Sequence, residues 1–165
     1  MRASTLIKTA SAVVVTAAAG GLATQPSGTW YRSLRLPPWQ PPAQAFGLVW
    51  TPLYLDLAVT SARALDVLGE QGREDERTAY ARALGVNLVL NAAWSVLFWR
   101  SRRPWVSTVE CVALALSSAD LVRRTARADA RAGAALAPYP LWCAFATTLN
   151  AAIARRNPRR PPSAS

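Results

Sequence analysis

The chain of 165 residues is 52% hydrophobic yet carries a net charge of +10, with seven tryptophans, two cysteines and no histidine. The missing imidazole removes Ser-His-Asp and Cys-His nucleophile systems and the commonest metal ligand, and Gly20-Gly21 lacks the spacing and strand context of a phosphate-binding loop. The arginines cluster beside apolar blocks, a placement that suits lipid headgroups and argues against nucleic acid.

Apolar windows of about 20 residues, the length that crosses a bilayer core, predict five membrane helices in a single all-α domain. The first covers residues 3–24. Its basic start (Arg2, Lys8) is also that of a secretory signal, but the run from Leu6 to Ala23 is long for a signal core and four spans follow. Next comes a stiff connector, LRLPPWQPP, in which four of the six residues from Pro37 to Pro42 are proline. It cannot be helix or central strand. With little conformational entropy left to lose, it can hold Trp39 as a lid over the bundle mouth.

The second helix, 46–68, contains Asp56, a charge that needs a partner in lipid; Arg63, two turns further along, is the expected one. The connector GEQGREDERT is the acidic one. The third helix, 79–99, places Asn87, Asn91 and Trp94 on one face. Buried amides in lipid must face the bundle interior, as interhelical hydrogen bonds or as ligand contacts. The fourth helix is 104–122, and Trp99 and Trp105 suit its lipid interface. The fifth, 133–154, reads GAALAPYPLWCAFATTLNAAIA, with no charge on any face. A soluble alanine-rich bundle would show a polar stripe there, so this segment decides for the membrane.

Mean hydropathy is only +0.11 because alanine replaces leucine and the connectors are rich in arginine. Cys111 and Cys143 read as small apolar core residues. The basic, proline-rich tail 155–165 is expected to be disordered. Placing the acidic loop outside puts the C-terminus in the cytoplasm. Trp50, Trp94 and Trp142 lie nearer the bodies of their segments than an interfacial anchor would, and flat indole faces inside a bundle suit a flat aromatic ligand.

The stretch WYRSLRLPPWQPPAQAFGLVWTPLY, with NLVLNAAWSVLFW and PYPLWCAFATTLN, closely resembles the tryptophan-rich sensory proteins, also called translocator proteins or peripheral benzodiazepine receptors. The three motifs occur in the right order over nearly the whole chain. The resemblance implies a five-helix bundle, a homodimer, and a pocket under the first connector that takes porphyrins or other flat apolar ligands. Residues carried over as ligand-binding are Trp30, Trp39, Phe46, Trp50, Tyr54, Asn91, Trp94, Trp142, Phe145, Ala146 and Asn150. Arg32 and Arg35 are candidates for porphyrin propionates.

Ala81 and Gly85 form a small-xxx-small pair that would serve as a dimer contact on the third helix. The implied role is sensor, carrier or sink in stress or tetrapyrrole regulation, in a bacterial inner membrane. The alternatives are an enzyme of light-dependent porphyrin degradation, with a redox-active tryptophan, and a small-molecule transporter. No cofactor or metal is required; the ligand would be protoporphyrin or heme. Leu36 stands where relatives commonly have a basic residue, and Ala151 replaces the tyrosine of the sterol pattern, which argues against cholesterol.

Overall fold

The computed structural model describes residues 1–158. Helix α1 (Ala3–Ala23) is apolar and runs into a connector that holds one short helical turn, α2 (Thr29–Arg32), ahead of the proline run. Helix α3 (Ala43–Glu70) starts directly after Pro42 and carries Pro52 within its length. Helix α4 (Glu74–Ser101) opens with Glu74, Asp75 and Glu76, whose charges favour a helix N-terminus, and ends at Arg102 in the left-handed region with φ 53°. Helix α5 (Pro104–Ala128) begins on a proline, which needs no intrahelical donor there. Two further helices follow, α6 (Ala130–Leu136) and α7 (Pro138–Arg156).

The protein is therefore an all-helical membrane bundle. Helices α1, α3, α4 and α5 are long and apolar enough to span, and α6 with α7 makes a bent fifth element. The bend corrects the expectation of one continuous helix over 133–154. Pro138 and Pro140 supply no amide hydrogens, so the helical ladder breaks at Ala137. Helices α3, α4 and α5 also continue beyond their apolar windows. An apolar window marks what lipid touches, while charged turns beyond it remain helical. The expected tail from residue 155 begins as the last turn of α7, and residues 159–165 lie outside the described residues.

Chain direction gives the bundle two distinct ends. At the end away from the connector, α6 packs so closely on α5 that a Cβ added to Gly133 would lie 2.5 Å from the Ala126 Cβ and 2.6 Å from its Cα. The Tyr80 hydroxyl lies 3.1 Å from Ser61 Oγ, to which it donates, and 2.9 Å from Thr125 Oγ1, joining α4 to α3 and α5. Asp66, on α3, accepts from Thr5 Oγ1 at 2.6 Å and from the Arg2 amide, so α1 begins against a carboxylate.

Arg63 does not pair with Asp56. Its Nε donates to Asp129 Oδ2 at 3.0 Å, because α3 has by then reached the turn between α5 and α6. Asp129 also caps α6, accepting from the amides of Arg131 at 3.0 Å and Ala132 at 3.1 Å. The Ala132 amide first, and then the Arg63 guanidinium, hold its carboxyl below the usual carboxylate range. Asp56 has no ion-pair partner among the described residues.

A covered aromatic cavity as the candidate functional site

The opposite half of the bundle is hollow, and the reason lies in how α1 sits. Near its start α1 is bound to α3 by the Thr9 hydroxyl, which donates to the Ala58 carbonyl at 2.9 Å. Toward the connector it leans on α4 instead, where a Cβ on Gly20 would come within 3.1 Å of Ser95 Oγ. Helices α1 and α3 part there. Gly21 and Gly47 flank the gap, and a Cβ at either would meet nothing within 4 Å. Their neighbours Leu22 and Leu48 are 83% and 76% exposed, so the gap opens at a lipid-facing surface.

Behind the gap lies a cavity of about 410 Å³. Its walls are aromatic: Trp94 stacks on Phe98 at 5.6 Å, Trp50 on Tyr54 at 5.2 Å, and Tyr31 from the connector lies 4.8 Å from Trp99. Tyr31 and Gln40 cover it, joined by a 2.9 Å hydrogen bond from Gln40 Nε2 to the Tyr31 hydroxyl. The connector itself is fastened to the end of α7: the Asn157 side chain accepts from the Arg35 amide at 2.9 Å and donates to the Arg35 carbonyl at 3.1 Å. No charged side chain lines the cavity among the described residues.

The cavity floor is a relay of hydrogen bonds across four helices. Tyr54 donates to Asn91 Oδ1 at 2.6 Å, Asn91 Nδ2 donates to the Tyr139 hydroxyl at 3.0 Å, and Tyr139 donates to Asn87 Oδ1 at 2.8 Å. Asn87 Nδ2 then reaches Ser117 and Ser118 at 3.2 and 3.1 Å. Such a network is fully committed to holding α3, α4, α5 and α7 together, and it fixes where Tyr54 and Asn91 meet the cavity.

Of the residues singled out from sequence, Phe46, Trp50, Tyr54, Asn91, Trp94 and Asn150 come together on this cavity. Trp142 and Ala146 lie on the other side of the wall made by Phe46, Trp50, Trp94, Leu149 and Asn150, around a void of about 20 Å³ that also touches Cys111 and Cys143. That volume is room for about one water. Trp142 meets Trp50 edge-on at 6.5 Å and stacks on Phe145 at 5.1 Å. Trp39 turns away from the cavity, 48% exposed, with its ring against Phe145 at 6.0 Å. Trp30 packs edge-on against Phe98 at 5.5 Å, outside the lining. Arg32 and Arg35 do not line it, and Ala81 and Gly85 are exposed on the outer face of α4.

Sequence reasoning passed over Tyr31, Gln40, Ser95, Phe98, Trp99 and the α1 glycines. Ser95 and Phe98 could have been found, since each follows a chosen residue, Asn91 or Trp94, by four on the same helical stripe. Trp99, expected at the lipid interface, instead closes the cavity against Tyr31. The glycines of α1 carry no local signal, because their role depends on where α3 is.

These features define a class of protein: a five-helix membrane bundle with an uncharged, aromatic cavity roofed by a proline-rich connector. The model of the TspO/MBR family matches residues 9–156, and the chain belongs to that family. It is 31% identical over 134 residues to the tryptophan-rich protein TspO of Chlorobaculum tepidum, covering 81% of this chain and 83% of that one. It is 29% identical over 132 residues to the tryptophan-rich sensory protein of Cereibacter sphaeroides, covering 80% and 79%. It is also similar to the human translocator protein, at 30% identity over 128 residues, covering 78% and 75%.

Proposed function

We propose that this protein binds tetrapyrroles within the membrane, as sensor, carrier or sink. The observation that carries the reading is the 410 Å³ cavity, walled by stacked aromatic pairs, free of charged lining and closed by the connector. Indole and phenol faces in that arrangement suit a flat conjugated ring. Purification from a heme-producing host should bring a tetrapyrrole absorption band with the protein, and added protoporphyrin should quench tryptophan emission to saturation. A colourless protein whose emission falls only linearly with added pigment would sink the reading.

The remaining expectations follow from the same reading. A bacterial inner membrane stays the proposed location; the connector end carries Arg32, Arg35, Arg100, Arg102, Arg103, Arg155 and Arg156, none in an ion pair among the described residues, and this acid-free cluster supports that end, with the C-terminus, in the cytoplasm. Ala81, Gly85 and Val89 form an exposed stripe on α4, with open space over Gly85 and Val89 68% exposed, which supports a homodimer through that helix. Gly85→Leu should then abolish the cross-linked dimer in bilayers while the monomer still folds.

A further inference from the structure

The cavity has a roof and an opening, and the two are built differently. The roof is fastened at several points. Asn157, just past the end of α7, pairs with both backbone groups of Arg35, accepting from the amide at 2.9 Å and donating to the carbonyl at 3.1 Å. The same Nδ2 donates to the Ile153 carbonyl at 2.8 Å, which ties this pairing to the last turn of α7. Gln40 holds the Tyr31 hydroxyl, and the Tyr31 ring lies 4.8 Å from Trp99. Trp30 and Trp39 add edge-on contacts to Phe98 and Phe145 at 5.5 and 6.0 Å. Between these points, the four prolines of residues 37–42 leave the chain little freedom to bend.

The gap between α1 and α3 has no such closure. On α1 the cavity is edged by Ala17, Gly20, Gly21 and Thr24, none with a side chain long enough to bridge to α3. On α3 the edge is Gly47, and a Cβ at Gly21 or Gly47 would meet nothing within 4 Å. Thr24 turns its hydroxyl back to the Gly20 carbonyl at 2.8 Å, so the one polar side chain of the α1 edge is occupied within its own helix. The flanking Leu22 and Leu48 are exposed, as apolar side chains in contact with lipid are.

A flat apolar molecule dissolved in the bilayer therefore meets no side chain at the gap that has to swing aside. A molecule arriving from water has to part the Asn157, Gln40 and aromatic contacts of the roof together. Resting on the tetrapyrrole reading, we infer that the ligand enters and leaves sideways, from the lipid, through the gap between α1 and α3, while the connector stays latched as a fixed roof. Gly21 and Gly47 keep this passage open, and Asn157 keeps the roof shut. The ligands selected by such a route are those that partition into the bilayer before they bind.

The test uses the full chain in lipid vesicles, with protoporphyrin as the probe and quenching of tryptophan emission as the readout. Association is followed after mixing, and release after adding an excess of empty vesicles. Gly21→Leu and Gly47→Leu each put a branched side chain into the passage and should slow association and release alike, by on the order of tenfold. Slower release is the decisive sign, because a leucine that merely damaged the site would let the pigment go faster. Asn157→Leu removes the latch and should leave both rates within about twofold of the parent. Open space at both glycines favours folded variants; where a helical melt shows that one has not folded, the other decides. Faster release from the folded glycine variants, rates that they leave unchanged, or faster association and release in Asn157→Leu overturns the inference while leaving tetrapyrrole binding intact. A parent whose quenching does not saturate overturns the tetrapyrrole reading itself.

Discussion

The two halves of the bundle solve the same problem differently. Away from the connector, polar groups reach one another: Tyr80 bridges Ser61 and Thr125, Asp66 meets the start of α1, and Asp129 serves Arg63 and α6 together. Toward the connector, Gln40, Trp94, Trp99 and Asn150, residues of the cavity lining, each keep one buried polar atom without a partner among the described residues. Lipid cannot satisfy such groups, so unmatched ones are destabilising in a bilayer core. One half is arranged for rigidity, and the other leaves polar atoms unpaired beside an aromatic cavity.

The sharpest way to test that contrast uses one substitution in both halves. Gly133→Ala would place a methyl 2.6 Å from the Ala126 Cα and 2.7 Å from its N, backbone atoms that cannot swing aside, so α6 must move off α5. Overpacking of this kind costs about 1–3 kcal/mol, and the variant should lose heat stability clearly in detergent melts. Gly47→Ala meets nothing within 4 Å and replaces glycine inside a helix, so it should be neutral or slightly stabilising, by up to about 1 kcal/mol. Comparable losses at both positions would mean that the gap between α1 and α3 closes in the bilayer.

The polar groups allow a paired test of opposite sign. Tyr80→Phe leaves the Ser61 and Thr125 hydroxyls without their buried partner and should destabilise by about 1–2 kcal/mol. Glu110, in the second turn of α5 on the connector half, has both carboxyl oxygens buried and unmatched. Glu110→Leu removes that burden and should raise the melting temperature, by the equivalent of about 1 kcal/mol. A melting temperature lowered by Glu110→Leu would show that the carboxyl has a role that the unmatched oxygens do not reveal.

The sequence was legible where physics is local. Lipid demands long apolar runs, so the five membrane segments stood out, and Pro138 and Pro140 carried the signal of the bend even though one helix was expected. The spacing of Asn87 and Asn91 put them on one interior face, where both serve the relay. What local pattern could not supply was the partner. Tyr139 reaches Asn87 across 52 positions, and Arg63 chose Asp129 over Asp56 because helices cross where tertiary packing sends them. The same limit applied to the tryptophans. Trp94 and Trp142 are both indoles in the bodies of helices, and only tertiary packing puts Trp94 in the wall of the wide cavity and Trp142 on the small void alone.

The smallest predicted effect concerns charge at the closed end. Asp129 is held below the usual carboxylate range, by the Ala132 amide and then by Arg63, so its charged form is favoured by folding. The stability it contributes is therefore fully present above the unfolded carboxylate value near pH 4 and is lost as the pH falls through the folded value. Asp129→Asn keeps an oxygen to cap α6 but cannot ionise or attract the Arg63 guanidinium. Because the ion pair is partly open to solvent, with side-chain exposures of 46% and 20%, the loss at pH 7 should be only a few tenths of a kcal/mol. Added salt should shrink it further. Parent and variant should converge in melts taken at acid pH, where the parent carboxyl is protonated. If the gap instead persists at low pH and high salt, the carboxylate acts through its hydrogen-bonding geometry at the start of α6. The closed half would then be held there by capping, with its ion pair contributing nothing measurable.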